Sequence, residues 1–467
     1  MLLHPDVILK DRPMSGKDDE ANRFTARAAR YARVGTKVGG VATRMVGERL
    51  FGRDDGDRAG PMALASALGG LKGPIMKVAQ LLATIPELLP PEYAAELQKL
   101  QSAAPPMGSA FVKRRMAAEL GPDWRDRFDT FDLQPAAAAS LGQVHKATSM
   151  QGDVLACKLQ YPDMQSAVEA DLRQLELVFS VHRYMSSAID TREIMKEISE
   201  RIREELDYTR EARHARLYAD ILRNDPDIRV PAVFDALSTN RLLTLGWLEG
   251  RSILTFVSAP QEVRNHLAMA LFRAWWHPFT RTAVIHGDPH LGNYTVFPRE
   301  GQMEGVNLLD FGCVRIFPPA FVGGVVGLYQ GLLRGDRAQI VHAYETWGFE
   351  KLSNDLVDAL NIWARFIFAP LLEDRRRTIA DGVKVSDYGR REAFQVHRVL
   401  KEKGPVRVPR EFVFMDRAAI GLGGAFLHLR AEVNFHRLFE AEIENFSIEE
   451  LGERQRRALI NSGLESP

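Results

Sequence analysis

The spacing of apolar positions along the chain changes period several times, and each change marks a different kind of element. Residues 1–20 are polar, with no repeating apolar positions. From Arg23 to Arg53, Phe24, Ala28, Tyr31, Val34 or Gly35, and Val38 form a stripe opposite Arg23, Arg27 and Arg30, which predicts an amphipathic helix. Residues 61–104 keep helical spacing but are punctuated by proline. Gly73-Pro74 opens a helix with Pro at its favoured first position, and Pro86 and Pro90-Pro91 break it before Glu92–Ser102 resumes. In the first of these helices Ile75, Val78, Ala79 and Leu82 form the apolar stripe, while Lys77, Gln80 and Thr84 share another face. A further helix, Ser109–Leu120, lies between Pro105-Pro106 and Gly121-Pro122.

Around Phe131 the period shortens to that of strands. Gln143–Ala147 and Val154–Leu159 are separated by Gln151-Gly152-Asp153, a hairpin signal. Helical spacing returns over 163–186 and over Thr191–Leu222, the second a single long helix laced with charge. Arg241–Leu245 predicts another strand, and from Pro260 the chain is mostly helical. The exception is a hairpin of Tyr294–Phe297 and Val306–Leu309 around a turn at 298–305. The fold class is therefore α+β, in four segments. These are a tail and basic helix (1–60), a helical extension (61–130), a strand-rich region (131–250) and a helical region (251–467).

Composition adds limits more than assignments. The formal net charge of zero gives no global field for nucleic acid, which is excluded as a partner. Two cysteines, Cys157 and Cys313, without a CxxC, imply neither a disulfide framework nor a zinc site and fit a reducing, cytoplasmic compartment. Asp6, Lys10, Asp11 and Asp18-Asp19-Glu20 leave no secretory signal, and no apolar run reaches the length of a spanning helix. Phe321–Leu333 comes nearest and contains Gln330 and several glycines. The expectation is a soluble or peripheral protein. The basic helix over Arg23–Arg53 either lies on an anionic membrane surface or packs on its own domain with solvated arginines.

The chemistry concentrates in His286-Gly287-Asp288-Pro289-His290-Leu291-Gly292-Asn293 and Asp310-Phe311-Gly312. An Asp, an Asn five positions on and a DFG seventeen beyond that match a kinase catalytic loop and its metal-binding Asp. One carboxylate, Asp288, orients the attacking hydroxyl or water. An amide, Asn293, and a second carboxylate, Asp310, hold Mg²⁺ against the phosphates, and the hairpin between them delivers both to one metal. A zinc reading of His286-x3-His290 is weaker, because Gly287 and Pro289 make this a loop rather than a helix, with no third ligand evident.

The other half of such a site has candidates upstream. Ala137-Ala138-Ala139-Ser140-Leu141-Gly142-Gln143-Val144 overlays G-x-G-x-x-G-x-V with alanine for the first two glycines. Lys158 ends Leu155-Ala156-Cys157-Lys158, sixteen residues after Gly142, and Glu211 on the charged helix is placed to pair with it. That pairing fixes the ammonium on the α- and β-phosphates. Alanine forbids much of the backbone space glycine allows, so the loop is expected to alter nucleotide preference, between ATP and ADP, and to slow phosphoryl transfer to protein.

Taken together, the alanine loop, Lys77-Val78-Ala79-Gln80 ahead of it and Glu205-Leu206-Asp207 on the charged helix resemble the UbiB/AarF family of atypical kinase-like proteins. Ala79 stands where the family's Lys-x-Gly-Gln has glycine, and the hinge Leu245-Gly246-Trp247 lacks the family's acidic residue. The resemblance implies a protein-kinase-like bilobal fold with a helical N-terminal extension across the cleft. There Lys77, Gln80, Glu205 and Asp207 gate the site. It further implies Mg²⁺ and ATP or ADP binding, ATPase activity, and a role with isoprenoid lipids such as ubiquinone, or with lipid-biosynthesis proteins at a membrane. On an ideal helix Glu204 shares a face with Asp207 and Glu211 better than Glu205 does, so the acidic partner stays open between the two. Two other functions fit parts of the pattern: a small-molecule phosphotransferase, and a nucleotide-gated lipid-binding scaffold of weak catalytic power.

Overall fold

The computed structural model describes residues 107–139, 141–162, 202–288, 290–301, 303–350, 352–379 and 410–464, with isolated positions between 164 and 200 and at 381. All fall in the unit Ala103–Pro467. Lys77, Gln80, Ser140, the basic helix and the whole proline-punctuated stretch of 61–104 lie outside the described residues.

A five-stranded sheet carries the first half of the site. Strands β1 (Phe128–Phe131), β2 (Ala137–Ala139), β3 (Gly142–Ser149), β4 (Val154–Gln160) and β6 (Leu242–Gly246) pair in the order β1-β3-β4-β6, with β2 taking the other end of β3's edge. All these pairings are antiparallel. One face buries Leu155, Cys157, Leu159 and Leu242 against Val112, Met116 and Leu120 of α1 (Ser109–Leu120), with Trp124 and Phe128 beside them. Thus α1, which the sequence groups with the extension, shares the core of this sheet. On the other face Ala137, Val144, Lys158 and Leu243 stand opposite one another on successive strands. The period-2 spacing of Val154–Leu159 is what sends Cys157 into the core and Lys158 to the opposite side.

The long helix expected over Thr191–Leu222 is interrupted. Residues 202–204 are helical, 205 and 206 turn, and α2 (Tyr208–Leu222) begins anew with Asp207 as its N-cap, accepting from the Arg210 N–H. Tertiary partners stabilise the break. The Gln160 side-chain amide donates to Leu206 O at 3.1 Å, and the Tyr208 N–H donates to Asn240 O. The unbroken charge pattern hid a residue type well suited to capping. The ideal-helix comparison of Glu204 with Glu205 therefore does not apply across Leu206.

The helical half is built on α3 (Gln261–Thr282), whose Leu267, Leu271, Trp275 and Phe279 are fully buried. Its left-handed end at Ala283 feeds β8 (Val284–His286), which pairs with β11 (Val314–Ile316) on the far side of the DFG. This small sheet was not anticipated by the sequence analysis. The expected hairpin is present as β9 (Tyr294–Phe297) and β10 (Gly305–Leu308), extended by β5 (Ile228–Arg229) and β7 (Arg251–Ser252). Among the described residues, six further helices close the core: α4 (Pro319–Arg334), α5 (Arg337–Thr346), α6 (Asn354–Phe368), α7 (Arg410–Leu429), α8 (Phe435–Ile443) and α9 (Ile448–Asn461). The glycine-rich run falls in α4, where Gly323 and Gly324 let Ile448 and the Trp347 indole approach the backbone. Among the described residues no helix is long and apolar enough to cross a membrane.

Candidate functional site

Lys158 is the meeting point. Its Nζ lies 2.6 Å from Glu211 Oε1 and 3.2 Å from Asp310 Oδ2, joining sheet, helix α2 and the DFG turn. The ring of Tyr208 lies beneath the ammonium at 5.2 Å. Burial opposes the charge on Lys158, but Asp310 and Glu211 outweigh it and hold the ammonium well above its ordinary pKa. Glu211 is pushed up to about 7, first by burial and then by Asp310, against the pull of Lys158. Lys158 thus bridges two carboxylates on different elements.

The catalytic loop is fixed by its own backbone. His286 Nδ1 accepts from the Asp288 N–H, so its Nε2–H donates to Asp310 O, at 2.6 Å. Gly287 donates to Cys313 O at 2.7 Å, and a Cβ there would stand 2.5 Å from that same oxygen. Asn293 closes the short 3-10 turn Leu291–Asn293, and its Nδ2 donates to Asp288 O at 3.1 Å. Since only the amide nitrogen can donate to a carbonyl, Asn293 Oδ1 is left pointing elsewhere as an acceptor. The Asn293 carbonyl accepts from the Leu309 N–H, so the hairpin brings Asn293 beside Asp310. Asp310 Oδ1 accepts from the Gly312 N–H at 3.0 Å, and about a third of its side chain is exposed.

Helix α2 holds the DFG through one residue: His214 Nδ1 donates to Phe311 O at 3.2 Å. Burial, with Arg210 nearby, lowers His214 to about 3, so the ring is neutral at physiological pH. Beside it, Glu204 lies 2.5 Å from Arg210 Nη1 and 2.6 Å from Arg315 Nη1.

The alanine loop is a tight hairpin. Ala137–Ala139 pair with Val144–Gly142, and no residue of 137–139 has a positive φ, so extended alanines meet no steric barrier. Gly142 is required by space: a Cβ would stand 2.3 Å from Leu159 O and 3.0 Å from the Tyr208 hydroxyl. Of the acidic pair, Asp207 is spent on the helix cap, exposed, and Glu205 is half-buried in the turn before it. Sequence reasoning missed Tyr208, His214, His286 as a loop tie, and Arg315. The first two lie three residues either side of Glu211, and that spacing on one helix face was a usable signal.

The donor chemistry fits a Mg–phosphate complex better than a protein-caged metal. Among the described residues no group of three or more His, Cys, Asp or Glu is placed to hold a metal ion. Mg²⁺ commonly takes one or two carboxylates and completes its shell with phosphates and water, which an Asp310–Asn293 pair beside a lysine suits. The zinc reading is not supported, because His286 is engaged through both ring nitrogens and His290 Nδ1 accepts from Gly292.

Residues 99–344 match the ABC1 atypical kinase-like domain. The chain is 30% identical over 253 residues to "Atypical kinase COQ8, mitochondrial" of Saccharomyces cerevisiae, covering 54% of this chain and 50% of that protein. It is 28% identical over 338 residues to "Atypical kinase coq-8, mitochondrial" of Caenorhabditis elegans, covering 69% and 45%. The chain thus spans about half the length of these curated relatives. Among solved structures it is similar to that of the Rv3197–erythromycin complex from Mycobacterium tuberculosis, with a TM-score of 0.57 at 26% identity, covering 88% of this chain and 99% of that one. By motif, fold and domain match, the chain belongs to the ABC1, or UbiB/AarF, family of atypical kinase-like proteins.

Proposed function

We propose that this chain binds a Mg–adenine nucleotide and hydrolyses it in support of ubiquinone or related isoprenoid-lipid biosynthesis. The observation that carries the nucleotide part is the Lys158 bridge to both Glu211 and Asp310. That bridge joins the strand lysine, the helix glutamate and the DFG aspartate, a subset of the groups used in phosphoryl transfer. Lys158, kept protonated by Asp310 and Glu211, would hold the α- and β-phosphate oxygens, and Ala137–Ala139, Gly142 and Val144 would line the nucleotide side of the sheet. Asn293, oriented by its bond to Asp288 O, and Asp310 would supply oxygens to the metal. The metal, when bound, neutralises charge on the phosphates. Asp288 orients the attacking water or hydroxyl, its backbone held from both sides by His286 and Asn293. Positioning and charge supply most of the effect.

The lipid part is supported by the COQ8 relatives alone. With it come the isoprenoid lipid or lipid-biosynthesis partners and peripheral membrane contact. Lys77 and Gln80, with Glu205 and Asp207, are proposed to gate the cleft, on the family resemblance.

Thermal stabilisation by ATP and ADP, with and without Mg²⁺, tests the site in wild type and Asp310→Asn. The expected result is a metal-dependent shift that the variant lacks. No metal-dependent shift in wild type would count against nucleotide chemistry. Phosphate release stimulated by lipid vesicles tests the lipid arm, and stoichiometric phosphorylation of a small alcohol would replace it with phosphotransfer.

A further inference from the structure

The acidic stretch ahead of α2 contains a carboxylate that the nucleotide reading does not use. Glu204 lies before the helix break, yet it reaches two arginines from different parts of the fold. Arg210 sits in the first turn of α2, and Arg315 on β11, three residues beyond Gly312. Only 12% of the Arg315 side chain and 23% of the Glu204 side chain are exposed, so this pair is shielded from solvent in a way that surface ion pairs are not. Burial opposes the charge on Glu204, but Arg315 and Arg210 more than offset it and hold the carboxyl below its ordinary range.

What the pair joins gives it a use. β11 continues directly from the DFG turn, and its Val314 is paired with His286, the residue that donates to Asp310 O. α2 carries His214, which holds the C=O of Phe311, and Glu211, which Lys158 links to Asp310. Glu204 therefore spans the helix and the strand that flank the Asp310 turn, from outside the catalytic groups. Loss of its charge would remove the two ion pairs that join Arg210 of the helix to Arg315 of the strand beside neutral, buried His214, and so loosen the strand after the DFG turn against the helix.

We infer that Glu204, through Arg315, is a positioning residue that holds the Asp310–Phe311–Gly312 turn against α2. In part the inference rests on the proposed role of Asp310 as a metal-binding group.

The test uses the full chain, as Glu204→Gln, Arg315→Gln and the double variant, with Arg315→Lys as a milder change should a glutamine variant not fold. Hydrogen exchange of the Phe311 and Gly312 amides is measured without nucleotide, beside the urea midpoint. In parallel, the Mg²⁺ concentration giving half-maximal thermal stabilisation by saturating ADP is measured. Each single variant is expected to exchange about tenfold faster at these amides and to need about tenfold more Mg²⁺, with the double variant no worse than either single. ADP affinity without metal should stay at the wild-type value. Unchanged exchange at Phe311 and Gly312 in folded Glu204→Gln, or additive effects of the two changes, would overturn the tie. Should wild type show no Mg²⁺-dependent shift with ADP, the nucleotide reading falls, and the exchange measurement still decides whether Glu204 holds the turn.

Discussion

Replacing Lys158 by methionine should destabilise the protein by an amount that depends on pH in a particular way. The substitution keeps most of the unbranched stem but removes the cation 2.6 Å from Glu211, a side chain only 2% exposed. Removing one partner of a buried pair costs roughly 3–5 kcal/mol when the other stays charged. Glu211 has an escape, because its carboxyl already sits at about 7, through burial first and Asp310 second. Without Lys158, which pulls it down, its folded pKa rises further. Between the ordinary unfolded value of 4.5 and the folded value, the native state carries a proton that the unfolded chain lacks, so stability falls as pH rises. Wild type loses stability this way only up to about pH 7, where its Glu211 becomes ionised. The variant continues to lose it, by about 1.4 kcal/mol per pH unit. The Lys158 contribution is fully present below its unfolded value of 10.5 and adds no slope in this range. The difference between the two proteins should therefore be flat from about pH 5 to 7 and widen steadily from 7 to 9. Urea unfolding of nucleotide-free protein across that range measures it. A difference that stays constant to pH 9 would mean that Glu211 does not take up the proton, and the account of the bridge would be wrong.

Tyr208→Phe should leave the nucleotide-free protein as stable as wild type or more stable by up to about 1 kcal/mol, since its buried hydroxyl has no hydrogen-bond partner and the ring is retained. A clear loss in urea midpoint would show that the hydroxyl is bonded in solution. Gly287→Ala should cost about 1–3 kcal/mol, because the new methyl meets Cys313 O at 2.5 Å and a backbone atom yields poorly; a wild-type melting temperature would contradict the packing described. Cys157, buried and pushed up to about 12, should resist alkylation in native protein and react after unfolding, as mass spectrometry at neutral pH would show.

The parts of this fold that were legible in the sequence are those where local pattern and tertiary structure agree. The two hairpins, α1 and the order of Lys158, Asp288, Asn293 and Asp310 follow from period, turn residues and spacing. The Lys158–Glu211 pair was expected and is present at 2.6 Å. The break before α2 was not legible, because it depends on Gln160 and Asn240, residues 46 and 32 positions away, bonding to the backbone of Leu206 and Tyr208. β8 and β11 were missed for a related reason: three-residue strands carry no period, and only their pairing across the DFG makes them strands. Alanine favours helix by intrinsic propensity, and in Ala137–Ala139 pairing with β3 overrides that preference.

The costs of the site are gathered on two turns of one helix. Tyr208 buries a hydroxyl without a partner, Glu211 buries a carboxyl raised to about 7, and His214 buries a ring lowered to about 3. Each is unfavourable relative to an apolar side chain of similar shape. The helix tolerates them because Ala212, Ala215, Leu217 and Leu222 bury apolar side chains on its inward face, and Asp207 caps its start. A helix selected for stability alone would place apolar residues at 208, 211 and 214. Gathering buried polar groups around one lysine and one DFG turn, with Glu211 held by Lys158 and His214 by Phe311 O, is a pattern more typical of functional sites than of purely structural helices. On that ground α2, as much as the Asp288–Asn293–Asp310 loop, supports the proposed nucleotide site.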